Sequence, residues 1–358
     1  MYNYNDLLGY KNLSLNQDEY TAELLSYDVV KGFVDFCSAR NYGSSLLLGN
    51  GFSIACNQNF DLSNLTQRMA SNNPIVNAIF AYLKSGSWDI EETMRIINQS
   101  IDILQCCSRL NPTEFTNVIN ELQQFSQNLK NEFIATIRDN HISGIADIPK
   151  ISAFDFINTY DCIFTLNYDL LLYWVISHNW VAFSDGFGRA DDGLLVFNHN
   201  FGAKPFYFLH GALHLFYNKG VIIKLGAGNT SILSKIDSII SGANHYPLCV
   251  TAGTANEKLE MIKSNYYLNH CLNMLRSSNN HNLIVFGTYL KDNDAHIRDA
   301  ILQSGVKNIF FGISSDSKRA EILQNFGNKG KNIFFYDYKF ANVWHNSTLV
   351  LQSVFNGL

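Results

Sequence analysis

Four turns in this 358-residue chain carry residue types able to do chemistry. The first is Gly49-Asn50-Gly51-Phe52-Ser53, which ends the apolar run Ser44-Ser45-Leu46-Leu47-Leu48. Glycines there can adopt backbone angles closed to other residues, so backbone N–H groups can approach a phosphate closely. The third glycine of the dinucleotide fingerprint is missing, and Asn-Gly also makes hairpin turns, so a phosphate cradle and a plain tight turn both stay open. The second turn is Leu166-Asn167-Tyr168-Asp169, after the strand-like residues 161–165; its polar side chains are either ligands at a strand's carboxyl edge or caps of the next helix. The third is Leu209-His210-Gly211, after Phe206-Tyr207-Phe208. An imidazole released by a glycine at a strand end is either a satisfied core histidine or a group that exchanges protons near neutral pH. His214 is a weaker candidate of the same kind. The fourth is Gly287-Thr288-Tyr289-Leu290, followed by Asp294 and His296, which either reach the same edge or cap a helix. Asp89, Glu91 and Glu92 crowd three carboxylates into four residues, a pattern read as a solvated first helical turn complementing its dipole.

The elements that must position these turns follow from hydrophobic periodicity. Leu24, Leu25, Val29, Val30, Phe33, Val34 and Phe36 have helical spacing within residues 11–41. Residues 57–150 lack strand-like runs. Their clearest member starts at Asn111-Pro112, an N-cap and first-turn proline, and runs through Phe115, Val118, Ile119, Leu122, Phe125, Leu129, Phe133 and Ile137. Segments around Ile75–Leu83 and Ile90–Leu104 are its expected partners in a small bundle. Leu170–Ile176 reads as a helix, and residues 185–228 as short strands punctuated by glycines. Then come a strand at Leu248–Thr251 and a capping box at Thr254–Glu257, opening one helix through Leu259, Ile262 and Tyr266 to Leu275. Strands at 283–286, 309–311 and 333–335 alternate with helices from Asp292 and over Asp316–Phe326. Continuous apolar strands alternating with helices predict right-handed βαβ units and a buried parallel sheet. The expected architecture is α/β, a Rossmann-like layer formed by residues 1–57 and 151–358, with residues 58–150 as an inserted all-helical module.

Composition narrows the function classes. Hydrophobic residues make up 47% of the chain and charged residues 16%, values of a globular protein with a large core. A net charge of −5, with no block of Lys and Arg, gives no electrostatic reason to bind nucleic acid or an anionic membrane. No signal peptide and no stretch of about 18 apolar residues is present, since Ile163–Phe183 is broken by Asn167, Asp169, His178 and Asn179. A cytoplasmic location is the expectation. The seven cysteines contain no Cys-x-x-Cys, so reduced buried thiols are expected rather than disulfides or a zinc ribbon.

Taken in order, the four turns resemble the sirtuin fold. In particular they are similar to bacterial sirtuin-like proteins with an Asn-Tyr-Asp motif, a group that includes a family catalogued only as a domain of unknown function and relatives that consume NAD as anti-phage defence effectors. The resemblance spans about Gly43 to Phe335 and covers the helical module least. It implies that Gly49, Gly51, Phe52 and Ser53 hold the NAD pyrophosphate and ribose, with Gly287 and Thr288 on the other side of the dinucleotide; Asn50 within the first turn and Asp294 after the fourth complete the expected cofactor-binding set. It also implies that Asn167 stands at the nicotinamide ribose, Asp169 near the carboxamide, and His210 as catalytic histidine. The zinc cysteine pairs of deacetylase-type sirtuins are missing, Leu166 replaces the glutamine before the asparagine, no arginine-bearing segment follows the glycine turn, and Gly-Thr-Tyr replaces Gly-Thr-Ser. These departures fall on the zinc and acyl-peptide features, so the expectation is metal-free hydrolysis of NAD. The alternatives are a non-catalytic module sensing NAD or ADP-ribose, and a zinc-free deacylase or ADP-ribosyl transferase. A homo-oligomer, and a defence-system partner protein or phage-derived trigger, are the implied partners besides NAD.

Overall fold

The computed structural model describes residues 24–61, 78, 90–109, 111–142, 150–177, 181–226, 231–243, 246–250, 254–327, 329–341 and 343–344. The described chain opens with a two-residue strand β1 (Leu24–Leu25) and helix α1 (Tyr27–Ser38). Strand β2 (Ser44–Leu48) then runs into the short helix α2 (Gly51–Cys56). Two long helices, α3 (Ile90–Ser108) and α4 (Pro112–Asp139), pack along each other, with Ser126 Oγ donating to Asn98 Oδ1 between them. Helix α5 (Lys150–Asn158), strand β3 (Cys162–Thr165) and helix α6 (Leu171–Ile176) return the chain to the main layer.

Five short strands follow: β4 (Gly186–Arg189), β5 (Leu195–Asn200), β6 (Phe206–Phe208), β7 (Leu215–Asn218) and β8 (Val221–Lys224). After them come helices α7 (Ile232–Ala243), α8 (Ala255–Ser264) and α9 (Tyr266–Arg276). The last third alternates β9 (Asn282–Phe286), α10 (Ala295–Gln303), β10 (Asn308–Ile313), α11 (Asp316–Phe326) and β11 (Asn332–Asp337).

A seven-stranded sheet in the order β1-β11-β10-β9-β2-β3-β6 organises the fold, and each of its pairings is parallel. Every residue of β2, β9 and β10 is buried, the pattern of strands covered on both faces. The register is marked by polar side chains at the strands' amino ends. Asn332 Nδ2 donates to Asn308 Oδ1 (2.9 Å), Asn308 Nδ2 to Asn282 Oδ1 (2.8 Å) and Asn282 Nδ2 to Ser44 Oγ (3.1 Å), all between residues paired in register. Of these amides Asn282 and Asn308 are buried, and a one-residue slip would leave them without partners.

A second, four-stranded antiparallel sheet, β4-β5-β8-β7, stands apart from the first. Inside it the Lys224 ammonium pairs with the Asp185 carboxylate, both buried.

Several expectations change. Leu24 and Leu25 belong not to the first helix but to an edge strand beside Phe335 and Tyr336. Leu248–Val250 is not a full strand: Cys249 makes only an antiparallel bridge to Gly211. The expected single helix over 255–275 breaks at Asn265, whose extended backbone lets its side chain accept from the Tyr267 and Leu268 N–H groups and so cap α9. The Thr254–Glu257 capping box forms as expected. Of the proposed helical bundle, α3 and α4 are described, and the Ile75–Leu83 segment lies almost wholly outside the described residues.

Candidate functional site

Strand pairing brings the four turns to one edge. Phe286, Leu48, Thr165 and Phe208 are mutual neighbours across β9, β2, β3 and β6. Two residues beyond each lie Thr288, Asn50, Asn167 and His210. Because the strands are parallel, this row crosses the carboxyl edge of the sheet, where open α/β sheets bind ligands.

The glycines have a visible reason. A Cβ on Gly51 would lie 2.5 Å from Gly287 Cα, and one on Gly49 would lie 2.4 Å from Thr288 Cβ. Gly287 itself has φ +78. The turns after β2 and β9 therefore interlock, with Gly51 N–H donating to Gly287 O (2.8 Å) and Gly49 N–H to Phe286 O (2.9 Å). Phe52 N–H and Ser53 N–H end on Gly49 O and Asn50 O. Of the amides expected to face a pyrophosphate, those of Gly49, Gly51, Phe52 and Ser53 are thus engaged with backbone carbonyls. Asn50 donates its amide to Phe60 O, and the Phe52 ring is enclosed against Trp344, whose indole N–H donates to Phe52 O (2.7 Å).

Ser53 instead reaches across to the second turn. Its hydroxyl donates to Asp169 Oδ2 (2.5 Å) and accepts from Asn167 Nδ2 (2.8 Å). Asp169 Oδ1 accepts from Leu171 N–H (2.8 Å), so this carboxylate caps α6 while holding Ser53. All three residues are buried. His141, just beyond α4, completes the cap: its Nε2 accepts from Leu170 N–H (2.9 Å) and its Nδ1 donates to Ile142 O (3.1 Å). One neutral tautomer satisfies both bonds, and burial, opposed by the Asp169 charge, holds its pKa below the ordinary value. The Cys56 thiol is pushed up to about 12 by burial and by Asp169, which keeps it protonated and unreactive.

His210 anchors a second cluster. Its Nε2 lies 3.0 Å from His296 Nε2 and 3.9 Å from Asp294 Oδ1, and Asp294 Oδ1 lies 3.3 Å from Lys258 Nζ. His210, His296 and Lys258 are all buried. Burial pushes both imidazoles down, with Lys258 adding to it and Asp294 opposing; His296 falls to about 4. Burial works against ionising Asp294, yet Lys258 and the two imidazoles hold its carboxyl below the usual range. The His210 loop is fixed by backbone. Val250 N–H donates to His210 O, and Gly211 (φ +79) passes so close to the Leu248 carbonyl that a Cβ would sit 1.9 Å from it. Tyr168 joins the clusters, its ring stacked 6.4 Å from the His210 ring and its hydroxyl donating to Val250 O.

Asp294 and His296 hang from a constrained loop. Leu290 is a buried non-glycine residue at φ +52, pinned by Thr288 Oγ1, which accepts its N–H, and by Arg298, which donates to its carbonyl. Left-handed leucine is an uncommon conformation of the kind that collects at functional loops. His214 lies elsewhere, enclosed between Tyr173 and Phe208 with neither ring nitrogen hydrogen-bonded.

Asn167, Asp169 and Ser53 therefore form one group and His210, Asp294 and His296 another. Thr288 and the glycines pack against one another where the turns after β2 and β9 meet, and Phe52 is core. Sequence reasoning missed His141 and Lys258. Lys258 had a signal, since it stands four residues before Ile262 on the buried face of α8. Among the described residues, donor atoms of His210, Asp294 and His296 all lie within 4.8 Å of one another, close enough to share a cation. The Asp294 oxygen already neutralises the Lys258 ammonium, so the group reads as an acid–base cluster.

The fold and site define an α/β protein with buried acid–base groups along the carboxyl edge of a parallel sheet. The chain belongs to the family described as Domain of unknown function (DUF4917), whose model matches residues 46–344 and so takes in all four turns. No curated protein matches the chain. No helix among the described residues is long and apolar enough to cross a membrane.

Proposed function

We propose that this chain hydrolyses the nicotinamide–ribose bond of NAD, as a sirtuin-like effector of anti-phage defence. The observation that supports the reading is the register row of Phe286, Leu48, Thr165 and Phe208, which brings the turns carrying Thr288, Asn50, Asn167 and His210 to one carboxyl edge. Cleavage of this bond passes through an oxocarbenium-like state, and orientation plus a single base does most of the work. Asn167, aimed by Ser53 and Asp169, orients the ribose hydroxyls or the attacking water. His210 takes the proton from that nucleophile. Asp169 acts at one remove, since both its oxygens already have partners. No metal is assigned a role.

A second reading is favoured by the enclosure of Ser53, Asn167 and His210: a module that binds NAD or ADP-ribose without turnover, the helical hairpin α3–α4 passing the state to a partner. Incubation of the purified protein with NAD, alone and in lysate of phage-infected bacteria, separates the two. Nicotinamide release by the wild type, lost in His210→Ala and Asn167→Ala variants that keep their thermal midpoints, supports hydrolysis. Calorimetric binding of NAD with no nicotinamide under either condition overturns it in favour of sensing.

A further inference from the structure

The contact between His210 Nε2 and His296 Nε2, at 3.0 Å, joins two ring nitrogens that each carry either a proton or a lone pair. A hydrogen bond there needs one proton between them, so the two rings must hold opposite tautomers at this contact. The surroundings choose which. Asp294 Oδ1 lies 3.9 Å from His210 Nε2, and a nearby carboxylate favours the proton on the nitrogen facing it. Lys258, on α8, holds the same Asp294 oxygen at 3.3 Å. The charged or titratable groups facing the pair are thus Asp294 and Lys258, with the Tyr168 ring stacked on His210. His210 then carries its proton on Nε2, pointing at His296, and keeps its lone pair on Nδ1. His296 Nδ1 is buried and has no partner, so a buried polar atom ends the chain of groups and calls for an explanation.

We propose that His210 and His296 form a proton-sharing dyad, in which His296 fixes the tautomer of His210 and takes over the proton that His210 gives up from Nε2. This assignment rests on the NAD-hydrolase reading and names a positioning residue for it. The step balances. As the bond from the anomeric carbon to nicotinamide breaks, nicotinamide leaves neutral with the electron pair, and a water lone pair forms the new bond to that carbon. The water's proton goes to His210 Nδ1, and the Nε2 proton of His210 passes to His296 Nε2. The positive charge that arrives on His296 is met by Asp294.

Two variants and two readouts test the dyad. His296→Gln keeps an amide oxygen within reach of the His210 Nε2 proton, whereas His296→Ala removes any acceptor. Nitrogen-15 NMR of the labelled protein should show His210 as the Nε2–H tautomer in the wild type and in His296→Gln, with the tautomer lost or mixed in His296→Ala. In nicotinamide release, His296→Ala should lower kcat about 100-fold, in the range of a lost proton-transfer partner, with KM little changed. The acid limb of its pH profile should move to lower pH, because the acceptor that stabilises the protonated His210 ring is gone. His296→Gln should recover most of the rate. An Nδ1–H tautomer of His210 in the wild type overturns the proposal, as does His296→Ala with unchanged kcat and pH profile. If the wild type releases no nicotinamide, the hydrolase reading fails, while the NMR result still decides whether the dyad exists.

Discussion

Replacing Gly51 with alanine tests why glycines stand in the first turn. The new methyl would lie 2.5 Å from Gly287 Cα and 3.1 Å from Gly287 O, both backbone atoms that cannot swing away. Ordinary carbon contacts are about 3.5–4.0 Å, so the turns must separate by about 1 Å, enough to break the 2.8 Å bond from Gly51 N–H to Gly287 O. Overpacking costs about 1–3 kcal/mol and the lost hydrogen bond about 1 kcal/mol, giving about 2–4 kcal/mol. At about 2 °C per kcal/mol for a chain of this size, the thermal midpoint should fall by roughly 4–8 °C. Gly287→Ala meets the same wall from the other side, 2.6 Å from Phe52 N, and adds about 1–2 kcal/mol for a left-handed alanine. Since each methyl invades the same gap, the double variant should lose clearly less than the sum of the singles. Urea unfolding of the four proteins measures this cycle, and calorimetry with NAD runs beside it. A Gly51→Ala protein as stable as wild type to within about 0.5 kcal/mol, yet blind to NAD, would refute the reasoning: the glycine would then serve phosphate approach and not the meeting of two turns.

Two further outcomes follow from the clusters. Ser53→Ala strips Asp169 Oδ2 of its donor and Asn167 Nδ2 of its acceptor, and should destabilise by about 2–3 kcal/mol in urea while abolishing nicotinamide release; an unaltered midpoint would mean that water replaces the hydroxyl without loss. Stability should also fall with acid. His296 sits at about 4 in the folded chain against 6.5 unfolded, so the unfolded chain binds a proton that the folded one refuses. The contribution is fully present above about pH 6.5 and drains away as pH falls through that window, reaching about 3 kcal/mol near pH 4 at about 1.4 kcal/mol per pH unit. His210 shifts in the same direction. Urea midpoints at pH 7, 5.5 and 4.5 check this, and equal midpoints would contradict it.

The parallel layer was legible because β2, β3, β9 and β10 are continuous apolar runs, each stopped by glycine or polar residues. Periodicity reports burial on both faces and little else, so it missed β1, whose two residues are too few to show a period beside a true helix. It also ran α8 and α9 together, since Asn265 interrupts no apolar stripe and acts only through its side-chain cap. At the site, residue types at strand ends pointed to Asn167, Asp169, His210 and Asp294. The hydroxyl bridge of Ser53 and the cap supplied by His141 depend on contacts between distant segments, for which local pattern carries no signal. The glycine turn shows the subtler difference: the sequence marked the need for glycine, and its cause is the opposing backbone of Gly287.

The asparagine ladder gives β2, β3 and β9 a common zero. Ser44 and Asn282 lie on it, and Asp161 joins the same level by accepting from Ser44 N–H. Counting from there, Asn50, Asn167 and Thr288 each stand six residues further along, the first four steps of each in strand and spanning about 13 Å at about 3.3 Å per residue. The sheet therefore works as a ruler read from its far end. An inserted or deleted residue between the ladder and the carboxyl edge would shift one site residue by a full increment and turn its side chain to the opposite face, whereas length changes beyond the row fall into loops. Length variation among relatives of this chain should avoid those six-residue intervals and gather in the connections beyond them.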